Sequence, residues 1–106
     1  FISFHFRDLV QKNHIRHKNI DFYSNLLKIS DNYLNKCVKE TTGKAPKQWI
    51  NEITIQHSQI LLQDNSKEIA EIAFELHFQS PSYFSRMFKK VTGQSPSDYR
   101  SQFLKH

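Results

Sequence analysis

The stretch SDNYLNKCVKETTGKAPKQW, residues 30–49, returns fifty positions later as SPSYFSRMFKKVTGQSPSDY, residues 80–99. Ser30, Tyr33, Lys39, Thr42, Gly43 and Pro46 recur as Ser80, Tyr83, Lys89, Thr92, Gly93 and Pro96. Conservative replacements fill much of the remainder: Leu34 for Phe84, Lys36 for Arg86, Val38 for Phe88, Trp49 for Tyr99. Upstream the echo continues at a spacing of forty-nine, where Lys18, Ile20 and Leu27 match Lys67, Ile69 and Leu76. The one-residue slip falls where a turn can absorb it. Two copies in a short chain argue for a duplicated supersecondary unit rather than a solenoid.

Helical spacing runs through both copies. Ile2, Phe6, Leu9 and Val10 share one face of a first helix, expected to end near Asn13 to Lys18. Asn19 is a candidate N-cap for a short helix with Ile20, Tyr23, Ser24 and Leu27 inward. Ser30 then caps a helix that Gly43 stops after Thr42. Pro46 suits the first turn of a long helix, expected over Lys47–Gln63 and carrying Trp49, Ile50, Ile53, Ile60 and Leu61. In the second copy Asn65 with Glu68 reads as a capping-box variant before Ile69, Ile72, Ala73 and Leu76. Ser80–Pro81 opens the next helix, Gly93 ends it, and Ser95, Pro96 and Asp98 open a last one through Leu104. The expected fold is all-α, about seven helices forming two helix-turn-helix subdomains joined by a long linking helix. The lobes are expected at 1–45 and 65–106, with the linking helix at 46–64.

The helix after Ser80 has two unlike faces. Phe84, Met87, Phe88 and Val91 form an apolar stripe, while Ser82, Ser85, Arg86 and Lys89 form a polar one at the same spacing. In the first copy Leu34, Cys37, Val38 and Thr41 are expected inward, with Asn32, Asn35, Lys36 and Lys39 outward. A short capped helix docked across a preceding one through a tight turn is a helix-turn-helix unit. Such a helix fits the major groove of B-DNA, where Asn can pair with adenine and Arg or Lys with guanine. Lys39, Lys44, Lys89, Lys90 and Arg100 lie where they could hold the phosphate backbone, and the helix starts near Asn19 and Asn65 offer N–H groups to phosphates.

Composition agrees with a polyanionic partner. The chain has 106 residues, 15 Lys and Arg against 10 Asp and Glu, and a net charge of +5. Its pI is about 9.4. That length suits one domain, or two small lobes sharing a helix. No apolar run nears the roughly 20 residues that a membrane span requires. One cysteine, Cys37, excludes an intrachain disulfide and suits a reducing cytoplasm. The chain opens on Phe1 rather than Met, so a fragment or processed product is expected, and its start is unlike a signal peptide.

The stretch IAEIAFELHFQSPSYFSRMFKKVTGQSPSDYR, residues 69–100, resembles the signature region of the AraC/XylS family of bacterial transcription regulators. The resemblance extends from about Phe6 to Phe103 and takes in the weaker first unit, NIDFYSNLLKISDNYLNKCVKETTGKAP. It implies a seven-helix domain of two helix-turn-helix units, promoter binding to double-stranded DNA, and activation through contact with RNA polymerase. It also implies a nucleoid-associated cytoplasmic protein whose sensing or dimerisation domain lies upstream. Carried over by position, the base-reading residues are Asn32, Asn35 and Lys36, with Ser82, Ser85 and Arg86; Pro81 matches a further contact position with apolar contact alone. The family often places glycine in the turn where this chain has Lys28 and His77, a replacement costing about 1–2 kcal/mol if the left-handed conformation is kept. The family's small residue midway along the linking helix is Ser58 here.

Other readings have less behind them. The aromatics Tyr33, Tyr83, Trp49 and Tyr99 are read as packing or rim residues. His14 and His17 share a helix face, but no Cys or carboxylate pattern completes a metal site. Cys37 sits on an apolar stripe without a general base. With no phosphate loop, nucleophile elbow or paired carboxylates, neither an enzyme nor a cofactor is expected. The alternative from another class is a helical protein-interaction module whose polar stripes meet an acidic partner.

Overall fold

A computed structural model describes residues 1–104 of the chain. They form seven helices and no strand: α1 (Ile2–Asn13), α2 (Ile20–Leu27), α3 (Asp31–Thr42), α4 (Pro46–Leu61), α5 (Ile69–Glu75), α6 (Pro81–Thr92) and α7 (Pro96–Leu104). Among the described residues no helix is long and apolar enough to cross a membrane. The chain divides into two compact units, the first ending at Ile53 and the second starting at Thr54. The division therefore falls inside α4 rather than at its ends. In chain order each unit has the same parts: a helix, a helix-turn-helix pair, and a closing helix. The first half of α4 closes one unit, and its second half opens the other.

In the first unit Phe6 and Val10 of α1, Tyr23 of α2, Leu34 and Val38 of α3, and Ile50 and Ile53 of α4 form the buried core. Phe6 meets the Tyr23 ring edge-on at 5.5 Å, a geometry that aligns ring edge with ring face. The Tyr23 hydroxyl leaves the apolar interior by donating to the His17 carbonyl at 2.6 Å. In the second unit Ile55, Leu62, Ile72, Leu76, Phe78, Phe84 and Phe88 are buried. An aromatic ladder continues outward from Phe78 to Phe84 at 5.0 Å, Phe88 at 5.8 Å, Tyr99 at 5.6 Å and Phe103 at 5.1 Å.

Three side chains depart from the expected stripes. Ile60 is 66% exposed, because the face of α4 that buries Ile50 and Ile53 does not continue downstream. There the buried positions are Ile55, Ser58 and Leu62. Ser58 is accommodated by donating its hydroxyl to the Ile55 carbonyl at 2.6 Å. Val91 and Thr41, near the ends of α6 and α3, are exposed; the core is filled a turn earlier by Phe88 and Val38. Thr41 instead bonds back to the Cys37 carbonyl at 2.8 Å. Helix α4 ends at Leu61 rather than Gln63, its last turn tightened by i→i−3 bonds from Gln63 to Ile60 and from Asp64 to Leu61.

The turns between α2 and α3 and between α5 and α6 are built alike. Lys28 N–H donates to Asn25 and Ile29 N–H to Ser24; His77 N–H donates to Phe74 and Phe78 N–H to Ala73. This is the Schellman pattern, which requires a left-handed residue at the turn. Lys28 and His77 supply it with φ of 59° and 60°. The left-handed form is thus kept without glycine. Phe78 is buried and Ile29 packs on the first core, so an apolar residue anchors each turn from the next position. Relief of that strain predicts that Lys28→Gly and His77→Gly each stabilise the chain by roughly 1 kcal/mol in urea unfolding.

Burial pushes the Tyr23 phenol up to about 12 from its ordinary 10.0. The fold thus favours its neutral form, a contribution intact below pH 10 and lost as pH climbs toward 12. Unfolding midpoints measured across that window should fall in the natural chain and fall less in Tyr23→Phe.

Candidate nucleic-acid interface

The helices α3 and α6 are started and stopped by the same chemistry. Ser30 accepts from Tyr33 N–H and Ser80 from Tyr83 N–H, both at 3.1 Å. Each cap satisfies one of the donors that a helix start leaves unpaired. At the other end Gly43 and Gly93 are left-handed, with φ of 78° and 86°. Just before them Thr42 and Thr92 act as staples. Thr42 donates to Val38 O and accepts from Lys44 N–H, at 2.7 and 3.2 Å. Thr92 donates to Phe88 O and accepts from Gln94 N–H, at 2.8 and 3.2 Å. The repeated Thr-Gly pair is a stop with its own side-chain lock.

One face of each helix is fixed in its core: Leu34 and Val38 in α3, Phe84 and Phe88 in α6, all fully buried. Opposite that face, Asn32, Asn35, Lys36 and Lys39 are exposed on α3, and Ser82, Arg86 and Lys89 on α6, with Ser85 half-buried. The structure thus assembles the sequence-predicted stripes on the solvent side of each unit. Asn35 is partly engaged, its amide donating to the Asp31 carbonyl at 3.1 Å, which leaves its carbonyl oxygen to meet a donor. The Arg86 guanidinium leans over Tyr83, 5.9 Å from the ring centre. Lys90 is exposed beside the stripe.

The other expected backbone cations have partners within the chain. The Lys44 ammonium pairs with Glu52 at 2.8 Å and lies 4.9 Å from the centre of the Trp49 ring. Arg7 approaches the same ring at 4.4 Å, and Trp49 donates to Thr42 at 2.9 Å. Arg100 donates Nε to the Leu62 carbonyl at 2.9 Å and Nη2 to Asp64 O at 3.1 Å. It thereby ties α7 to the carbonyl-rich end of α4, where a cation is electrostatically favoured. The first unit has a parallel clasp: Lys47 of α4 donates to Lys18 O at 2.9 Å. Lys18 itself donates to His14 O and Ile15 O, both at 2.9 Å, just past α1. Burial, with nearby Lys47, lowers the Lys18 pKa to about 8. Sequence reading missed Lys18 and Lys47, since their spacing carries no sign of which carbonyls they reach.

Of the two helix starts expected to offer N–H groups to phosphates, the one at Asn19 is present and the one at Asn65 is not. Asn65 is not a helix start: Asp64 accepts from Ser66 N–H and Oγ in a local turn, and α5 begins after Glu68. The Glu71 carboxylate reaches back to the Glu68 N–H at 3.4 Å, so carboxylates surround that end. Asn19 does occupy the N-cap of α2 but makes no side-chain cap bond, and Asp21 stands in the first turn. His14 is buried against the Val10 carbonyl at 2.9 Å, and His17 stacks on Phe22 at 3.6 Å. Both are packing residues in this fold.

Residues 23–102 match the family described as Helix-turn-helix domain. The chain belongs to that family, and its type is that of the AraC regulators. Among curated relatives, histidine kinase P4 of Formosa agariphila is 32% identical over 81 residues, 76% of this chain and 6% of that protein. The HTH-type transcriptional activator RhaR of Yersinia pseudotuberculosis is 29% identical over 72 residues, 68% of this chain and 25% of RhaR. The chain thus spans a small part of the curated relatives it matches. Among solved structures, the C-terminal domain of AraT, a response regulator from Geobacillus stearothermophilus, superposes with a TM-score of 0.87 at 27% identity. That match covers 95% of this chain and 84% of that domain's chain. The DNA-binding domain of AdpA, solved with a target DNA, gives 0.86 at 20% identity over 97% and 93% of the two chains; at that identity the likeness is one of fold.

With Arg100 as a clasp, Arg100→Met lowers the stability of the second unit by about 1.5–3 kcal/mol, the range for hydrogen bonds to charged groups. Hydrogen exchange of the α5 and α6 amides, faster in the variant while α2 and α3 amides stay unchanged, checks it.

Proposed function

We propose that the chain is the DNA-reading part of a bacterial transcription activator. In this reading α3 and α6 enter neighbouring major-groove segments of double-stranded DNA. The observation that carries it is the repeated two-faced helix: each is locked in a core by one side and offers amides, hydroxyls and cations from the other. A groove that exposes donors and acceptors is matched by those groups. Asn32, Asn35, Lys36, Ser82, Ser85 and Arg86 read bases, and Lys39, Lys89 and Lys90 neutralise phosphates.

Lys44 and Arg100 are assigned a supporting role. Their charge adds to the field, but their hydrogen bonds hold the ends of α3 and α4. Contact with RNA polymerase and a separate sensing or dimerisation region in the whole protein belong to the same reading, supported by the activator RhaR and by the small share of each relative that the chain matches. A bacterial cytoplasm, at the nucleoid, follows as the place of action.

Selection of bound sites from a random duplex library, followed by gel shifts over a salt series, tests this. Affinity should fall steeply with salt while preference for the selected site persists. Arg86→Ala should remove about 1–3 kcal/mol of discrimination at one base pair. Equal binding to all duplexes would favour the protein-interaction module, and an unchanged selectivity ratio in Arg86→Ala would remove that residue from the reading set.

A further inference from the structure

The two reading helices are duplicates in shape but not in charge. In α3 the carboxylates of Asp31 and Glu40 cancel the ammoniums of Lys36 and Lys39. In α6 Arg86, Lys89 and Lys90 stand with no acid among them, a net charge of three. The difference lies at equivalent places in the repeat: Asp31 stands where α6 has Pro81, and Glu40 where it has Lys90. At 3.6 residues per turn, these two positions flank the polar stripe, roughly a quarter-turn to either side. Those flanks are where the phosphate rims would lie if the stripe faces a groove.

The fold accounts for one of these acids and not the other. Asp31 is in the first turn of α3, where a carboxylate suits the helix dipole, and it accepts a hydrogen bond from the Ser24 hydroxyl. Glu40 is near the last turn, where a carboxylate opposes the dipole and a lysine would be favoured. It is exposed and forms no ion pair among those of the described residues. The helix dipole thus gives Glu40 no support at this end, while its place at the rim of a reading face gives it one toward a partner.

We propose that Glu40 is a specificity determinant acting by repulsion: it offsets the phosphate hold of Lys39, so that α3 adds affinity chiefly where its amides and Lys36 meet matching bases. Non-specific hold then comes mainly from α6, whose Lys90 occupies the equivalent rim. The inference rests on the DNA-reading function and deepens it. Suppressing the wrong contact is an ordinary route to selectivity, because discrimination is a difference between two affinities.

The experiment compares the natural chain, Glu40→Lys and Lys90→Glu on a selected duplex and on random duplexes across a salt series. Glu40→Lys gains a favourable end charge for α3, so folding is not at risk. It should tighten random-duplex binding by about 3- to 10-fold, steepen the salt slope by about 0.9, and shrink the selectivity ratio. Lys90→Glu should weaken both duplexes together and flatten the slope. The inference is overturned if Glu40→Lys leaves random-duplex affinity unchanged, or tightens the selected and random duplexes equally. A natural chain that selects no duplex would remove the DNA-reading function itself, a result visible before either variant is compared.

Discussion

The rotation of two helices about their own axes governs what this molecule presents. Leu34 and Val38 in one, Phe84 and Phe88 in the other, are withdrawn from water completely. Turning either helix by a single residue position toward its polar stripe would expose these side chains and carry Lys39 or Lys89 toward the interior. Exposing a side chain of this kind forfeits about 1.5–3 kcal/mol, and burying an unpaired cation costs more. The polar stripe therefore points outward because the apolar one has no alternative.

Everything at the helix ends serves that lock. The serine caps, the left-handed turns at Lys28 and His77, and the threonine staples before Gly43 and Gly93 fix where each helix starts and stops. The cationic clasps, Lys47 onto Lys18 and Arg100 onto Leu62 and Asp64, fasten the closing helix to the end of the opening one. Each unit is a closed circuit of four helical segments, with α4 shared between them. Of the cations that sequence reading assigns to DNA, Lys44 pairs with the Glu52 carboxylate and Arg100 with backbone carbonyls, while the others stand on or beside the stripes.

What could be read from the chain follows from the range of each interaction. The helix starts at Ser30, Ser80 and Ser95 depend on residues three positions apart, so the letters alone identify them. The two-faced stripes are equally local, and Asn32 to Lys39 and Ser82 to Lys89 could be picked out with their orientation. Long-range bonds were not legible: Arg100 finds carbonyls thirty-eight and thirty-six residues away, and Lys47 one that is twenty-nine away. Ile60 departs from its expected place for a related reason, since periodicity assumes one core per helix and α4 serves two. Asn65 failed because Asp64 and Ser66 offered a tighter local turn.

Trp49 is the sole tryptophan in the chain, and it sits in the first unit, half-buried, with the cations of Arg7 and Lys44 against its ring. Its indole emission consequently reports on one half of a duplicated molecule, while far-ultraviolet dichroism sums both. Superimposable denaturation curves from the two signals would mean that the shared helix couples the halves into one cooperative melt. Separated curves would mean that each half carries its own stability, so that one could be tuned by mutation without loosening the other.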